Sequence, residues 1–320
     1  MIRMSIIGVW VLGWLTGLAA ASEQDPQRWL ERMAHALQTK SYEGTFVYLN
    51  GFHLESMRIA RAIDADGERE RLISLNGEQR EIVRNGHAVT SILPHAKSVF
   101  SRKPSQGTSF PAVLGKSFAE LQTLYRFLIS KPDRVAERST AQILVVPKDG
   151  YRYGYRLWLD SETAIPLKLA LVNEQGIPLE QVMFTPFRVL ESTELPDIPN
   201  PSATPAASQP RKKSAESTKE ADFWRVSDLP NGFMLHSQGE EKMPGTFERV
   251  RHLVFTDGLV TVSAYIEKME DHHGLQGASR RGAISAFGVR QSGYQVTVVG
   301  EVPPRTVKQI AHSIQVASSD

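Results

Sequence analysis

The sequence predicts an α+β fold: a large antiparallel sheet covered by helices, followed by a smaller sheet carrying one helix. Three observations point there. Short runs with a side-chain period of two recur between Ser41 and Phe187, and Asn-Gly, Asp-Gly and Asn-Glu-Gln-Gly turns separate them at intervals of about ten residues. Pro196 to Asp222 then holds five prolines among Ser, Ala, Lys and Glu, with almost nothing apolar, which reads as a linker. Beyond it a second, shorter set of strand-like runs ends in a helical pattern.

At 320 residues and 41% hydrophobic content, the chain can give each of two units its own core. Arg3 precedes an apolar run from Ile6 to Leu18 that ends in Ala19-Ala20-Ala21, the order of a secretory signal peptide cleaved after Ala21. An uncleaved anchor is the competing reading, but the run falls short of the roughly 20 residues that a spanning helix needs. The expected division is a signal peptide over 1–21, a large unit over 22–195, a linker over 196–222 and a small unit over 223–320. With no cysteine, disulfides, thiolate metal sites and cysteine nucleophiles are excluded, as is acylation of a lipoprotein cysteine. A soluble periplasmic protein fits. A net charge of +2 argues against a dedicated nucleic-acid binder.

In chain order, Asp25-Pro26 caps a helix whose Leu30, Met33, Ala34 and Leu37 share a face. From Ser41, Tyr42, Phe46 and Tyr48 point one way and Thr45, Val47 and Leu49 the other, up to the Asn50-Gly51 hairpin signal. Strands are expected over Leu54–Ala60, Arg69–Leu75, Gln79–Val83 and His87–Leu93. Their many charges, Arg58 to Arg84, read as a solvated face with cross-strand ion pairs in preference to a binding surface. Ser101 to Gly115 is a Ser/Pro/Gly-rich loop with Phe110, Val113 and Leu114. It leads into a helical pattern of Phe118, Leu121, Leu124, Tyr125 and Leu128, so loop and helix form either a lid over the sheet or part of its core.

After a run from Ala141 to Val146 comes the stretch around which the large unit is organised. Tyr151, Tyr153, Tyr155, Leu157 and Leu159 alternate with Arg152, Arg156 and Asp160, with Trp158 the exception on the polar side. Asp160-Ser161-Glu162-Thr163 turns the chain into Leu167, Leu169 and Leu171, and a third run spans Leu179 to Phe187. This is a meander with one dry face, and that face covers either a core or a ligand.

In the second unit, Leu229-Pro230-Asn231-Gly232-Phe233 is a turn into a strand, and Thr256-Asp257-Gly258 joins two β-rich runs. Glu267 to Arg281 reads as a polar loop. Ala283–Val289 and Tyr294–Val299 form a strand pair, and Pro303-Pro304 starts a helix with Val307, Ile310, Ala311 and Ile314 on one face.

No nucleophile elbow, zinc helix, phosphate loop or dinucleotide fingerprint is present. His272-His273 follows Glu267, Glu270 and Asp271, but adjacent histidines diverge and nothing is spaced to complete a metal site, so no metal or cofactor is expected. Arg280-Arg281 reads equally as an anion-receiving pair and as a charged strand entry.

Several ordered segments resemble a known family. Tyr42-Glu43-Gly44-Thr45-Phe46-Val47-Tyr48, Gly77-Glu78-Gln79-Arg80-Glu81-Ile82-Val83, Tyr151-Arg152-Tyr153-Gly154-Tyr155 and Asp160-Ser161-Glu162-Thr163 are similar to the large domain of the MucB/RseB family. Trp224-Arg225-Val226, Leu229 to Phe233, Asp257-Gly258-Leu259 and Val298 to Pro303 are similar to its small domain. The resemblance implies a curved half-barrel of the lipoprotein-carrier type closed by helices, in a non-enzymatic periplasmic regulator of an envelope-stress sigma-factor pathway. Such a protein binds the periplasmic domain of an inner-membrane anti-sigma factor, shields it from regulated proteolysis, and releases it on binding lipid or lipopolysaccharide. On this reading Tyr153, Tyr155, Leu157, Leu167, Leu169, Phe118, Leu121 and Leu124 line the acyl pocket, and Arg280, Arg281 and Phe287 meet the protein partner. The same apolar residues serve equally as core. A lipid or lipoprotein carrier is the alternative function, an envelope hydrolase lacks a nucleophile motif, and a homo-oligomer is left open.

Overall fold

The computed structural model describes residues 25–65, 67–85, 88–93, 98–102, 118–196, 198, 224–242, 249–269 and 274–316. The signal-peptide segment, most of the expected lid loop, nearly all of the linker and the Glu270–His273 cluster lie outside the described residues.

Helix α1 (Pro26–Thr39) starts as its capping signal requires, with Asp25 Oδ1 accepting the Gln27 N–H at 2.9 Å, and it buries Trp29, Leu30, Met33 and Ala36. Six strands follow: β1 (Ser41–Asn50), β2 (His53–Asp64), β3 (Gly67–Ser74), β4 (Glu81–Asn85), β5 (Ala88–Leu93) and β6 (Ser98–Arg102). Then come a short helix, α2 (Phe118–Leu124), and β7 (Tyr125–Ile129), β8 (Asp133–Val135), β9 (Arg138–Pro147), β10 (Gly154–Asp160), β11 (Pro166–Val172) and β12 (Pro178–Leu190). All pair into one 12-stranded antiparallel sheet in the order β6-β5-β4-β3-β2-β1-β12-β11-β10-β9-β7, with β8 hydrogen-bonded to β9. The sheet is open and curved. Two meanders lie side by side, and their seam is the long β1–β12 pairing. At that seam Gly44 sits beside a bulge, where a Cβ would lie 2.6 Å from the Pro186 carbonyl and 2.8 Å from the Phe184 ring.

The smaller unit has a six-stranded sheet made of β14 (Met234–Lys242), β15 (Arg249–Thr256), β16 (Thr261–Lys268), β17 (Gly277–Arg281), β18 (Ile284–Gln291) and β19 (Tyr294–Gly300), in the order β14-β15-β16-β19-β18-β17. Helix α3 (Pro304–Ser313) lies on it with Val307, Ile310 and Ala311 fully buried. A two-stranded ribbon of β13 (Trp224–Val226) and β20 (Ile314–Val316) ties the unit's two ends together.

Several local expectations are corrected. Tyr125 and Leu128 belong to β7, not to a helix, because Tyr125–Ile129 pairs along β9; Tyr125 is buried and Leu128 exposed. Ser98–Arg102 and Asp133–Val135 are further strands, and Gly277–Arg281 is a strand although the polarity of Glu267–Arg281 predicts a loop. The alternation assigned to Tyr151–Asp160 holds only from Gly154, because residues 151–153 form a bend. Arg152, in that bend, and Asp160, at the end of β10, are not on a wet face: each is buried and held by an ion pair, Arg152 with Asp257 and Asp160 with Arg138. The charges around β2–β4 do pair, as Arg71 with Glu81 across β3 and β4 at 2.8 Å and Arg80, just before β4, with Glu55 of β2 at 3.2 Å, but Arg61 and Glu70, 3.5 Å apart across β2 and β3, are buried and not on a solvated face.

Candidate ligand face and domain junction

Cross-strand register carries one apolar row across the large sheet from β9 to β2. Tyr155 faces Val145 on β9 and Leu171 on β11, and Leu157 faces Ile143 and Leu169. Leu169 faces Val182 on β12, Val182 faces Tyr48 on β1, and the next pair, Phe184 with Phe46, faces Met57 on β2. Opposed residues share a face, so these side chains line one side of the sheet. Helix α1 lies on that side: its Leu37 carbonyl accepts a hydrogen bond from Arg61, which is opposite Tyr42. Trp29, Leu30 and Met33 join the cluster that holds Ile143, Leu157 and Leu159, while Ala36 joins Tyr42, Ile59 and Phe184.

The helix covers part of the row and leaves the rest partly open. Leu121, Leu157 and Leu167 have 0% exposure, so in this arrangement they touch neither solvent nor an open cavity. Tyr153, Tyr155 and Leu124 are buried in the same cluster as Leu121 and Leu157, whereas Leu167 packs in the second cluster. Leu169 and Phe118 are half-buried. Phe46, Tyr48, Leu72, Val182 and Phe187, none of them among the pocket residues expected from the sequence, are half-buried on the same face. An aromatic group runs along its seam, with Phe46 and Phe184 centroids 5.8 Å apart and Phe184 and Phe187 5.2 Å apart. The signal for this group was in the sequence, because Tyr42, Phe46 and Tyr48 alternate, but only the β1–β12 pairing sets them beside Val182 and Phe184.

The smaller unit closes one end of this face. Asp257, at the tip of the β15–β16 turn, fixes that turn by accepting the N–H groups of Leu259 and Val260 with Oδ1, each at 2.8 Å. Its Oδ2 reaches across to the large sheet, accepting from Tyr125 Oη at 2.7 Å and Arg152 Nε at 2.5 Å. Arg152 also donates to Asp149 and to the Asn231 carbonyl, and its guanidinium lies 4.9 Å from the Phe233 ring centroid. Burial and the adjacent Asp257 carboxylate drive the Tyr125 hydroxyl well above the usual phenol value. Burial works against the charge on Arg152, but Asp257, Tyr125 and Asp149 outweigh it and raise its value.

Further contacts extend the junction. Arg305 Nη2 donates to Glu174 at 2.6 Å, and Thr306 Oγ1 donates to the Tyr151 carbonyl at 2.7 Å. Glu180, held by Tyr48 and Asn50 at 2.9 Å each, lies close enough to Glu301 to raise its carboxyl, an effect second to desolvation. Desolvation and the bond to Glu180 likewise push the Tyr48 hydroxyl up to about 12. The tyrosine-rich stretch expected as a wall thus also packs in the domain contact, with Tyr153 and Tyr155 in one cluster with Phe233, Leu259, Val260 and Val302. The Tyr153 hydroxyl is buried with no hydrogen-bond partner among the described residues.

Arg280 and Arg281 are exposed on β17, with Arg280 Nε donating to the Gly282 carbonyl at 3.0 Å. Phe287 is half-buried, opposite Ala278, with its ring 5.4 Å from that of His312. Among the described residues, no three His, Asp or Glu side chains gather as a metal site.

The MucB/RseB N-terminal domain matches residues 25–207, and the MucB/RseB C-terminal domain matches residues 218–315. The chain belongs to the MucB/RseB family. Within the MucB/RseB family, the sigma factor AlgU regulatory protein MucB of Pseudomonas aeruginosa is 31% identical over 323 residues, covering 95% of each chain. The sigma-E factor regulatory protein RseB of Escherichia coli is 29% identical over 290 residues, 89% of each. MucB has been solved in complex with MucA(peri), and this structure matches that MucB at 28% identity and TM-score 0.69 over 92% of the present chain and 100% of the other. MucB solved by itself matches at TM-score 0.57, again over 92% of this chain, and covers 98% of that one.

Proposed function

We propose that this MucB/RseB protein is a periplasmic negative regulator of an envelope-stress sigma-factor pathway, which binds the periplasmic domain of a transmembrane anti-sigma factor and shields it from proteolysis. The observation that carries this reading is the match of both units, in their docked arrangement, to MucB in complex with MucA(peri) at TM-score 0.69. The protein partner meets the β17–β18 edge, where Arg280 and Arg281 offer two exposed cations beside Phe287.

Lipid or lipopolysaccharide acyl chains occupy the half-open part of the apolar row. Leu169 and Phe118 lie on its accessible margin together with Phe46, Leu72 and Val182, while Tyr153, Tyr155, Leu157, Leu167, Leu121 and Leu124 form the wall behind it. An acyl chain there displaces the partner only by binding the partner-free state more tightly, which is reciprocal linkage between two sites.

The test is biolayer interferometry of the mature chain against the periplasmic domain of a MucA-like anti-sigma factor from the same organism. Saturable binding that Arg280→Glu with Arg281→Glu weakens at least tenfold, and that lipopolysaccharide relieves in the native chain but not in Phe46→Glu, is the expected result. Absence of binding by the folded protein would remove the regulator reading. Binding unaffected by the charge reversals would move the interface away from β17.

A further inference from the structure

A second site lies on the opposite face of the large sheet. There a cavity of about 350 Å³ opens where β7, β9, β10 and β11 meet the bend before Gly154. Arg126 is opposite Val146, Arg156 is opposite Leu144, and Gly154 is opposite Val172. Gly154 and Arg156 alternate with Tyr155 and Leu157, and Val146, opposite Arg126, alternates with Val145, so their side chains face away from the row described above; Val145 and Tyr155 also border the cavity. Gly154 keeps the floor low: a Cβ there would lie 3.0 Å from the Val145 carbonyl and 3.2 Å from Val172 Cγ2. Leu144, Val146 and Val172 supply apolar walls.

The charges lining the cavity do not balance. Arg152 is committed to Asp149 and Asp257, and Glu174 to Arg305. Arg126 and Arg156 line the same space with no hydrogen bond or ion pair to any described residue. Two unmatched guanidinium groups beside an apolar wall suit a compact dianion with a short hydrocarbon group, because each planar fork can take two phosphate oxygens. The volume is within the range of small-ligand sites, which run from about 300 to 1,000 Å³. We infer that this cavity binds a phosphate monoester carrying a short alkyl group, at a site separate from the acyl-binding face.

Isothermal titration of the full mature chain with hexyl phosphate, inorganic phosphate and hexanol tests this. Hexyl phosphate is expected to bind one to one, at least tenfold more tightly than inorganic phosphate, with no saturable binding of hexanol. Arg126→Gln and Arg156→Gln should each weaken it at least tenfold, while Arg58→Gln, at an exposed arginine on β2, and Phe46→Glu, on the acyl face, leave it unchanged. Equal affinity for inorganic phosphate would overturn the ester in favour of the free anion. Lack of saturable binding, retention in the double Arg126/Arg156 variant, or equal loss in Arg58→Gln would overturn the site. Arg126 is exposed, so its variant decides the matter even where Arg156→Gln fails to fold.

Discussion

Replacing Asp257 by Asn probes the junction most sharply, because the change keeps the shape and removes the charge. Asp257 and Arg152 both have side chains with 0% exposure. The carboxylate accepts four hydrogen bonds, from Arg152, Tyr125, Leu259 and Val260. An amide presents only one accepting atom, so either the turn amides or the pair of Arg152 and Tyr125 must then face an NH₂ group. Breaking one side of a buried ion pair costs about 3–5 kcal/mol. Arg152 keeps Asp149 and the Asn231 carbonyl, which places the expected loss at the lower end, about 3 kcal/mol. At 1.4 kcal/mol per decade, that moves the ratio of docked to undocked units by about 100-fold. Urea denaturation followed by hydrogen exchange at the Leu259 and Val260 amides reads both the stability and the local opening. Asp257→Asn combined with Arg152→Met completes a double-mutant cycle, in which the second change should cost much less than it does alone. A loss below about 0.5 kcal/mol in the single variant, or additivity in the cycle, would refute the argument that this pair holds the units together.

Other perturbations have equally definite outcomes. Tyr153→Phe removes a buried hydroxyl without a partner among the described residues, so stability should stay within about 1 kcal/mol of the parent or rise; a larger drop in the urea midpoint would reveal a hydrogen bond that the hydroxyl does make. Gly232 has φ +81°, and a Cβ there would lie 2.5 Å from Leu124 Cδ2, so Gly232→Ala should lower stability by about 1–3 kcal/mol and show as a lower Tm; an unchanged Tm would mean that the junction gives way freely. Burial pulls the Asp160 carboxyl up, yet hydrogen bonds from Arg138 and Thr163 outweigh it and hold the value below 3.8. A depressed folded-state value gives stability that is present above the ordinary carboxylate range and lost as the pH falls through the folded value. Asp160→Asn should therefore cost about 2 kcal/mol at neutral pH, with the gap to the parent closing in acid; a gap independent of pH would show that the charge plays no part.

The local periodicities were legible from sequence because each depends on neighbours a few residues apart. The capped helix at Asp25-Pro26, the hairpins at Asn50-Gly51 and Asp257-Gly258, and the β10–β12 meander need only alternation and turn chemistry. Tyr125–Ile129 misled because apolar residues at Leu121, Leu124, Tyr125 and Leu128 satisfy a helical spacing, and only the long-range ladder with β9 decides for a strand. The same reason hid the candidate sites. The sequence by itself determined an alternating apolar face and an Asp-Gly turn. Tertiary structure alone decided that Phe46 and Val182 stand on that face, that Arg152 is buried, and that Asp257 reaches Arg152 from 105 positions away in the chain. Strand pairing and charge pairing across such separations are set by the packing of the whole chain, and no local pattern encodes them.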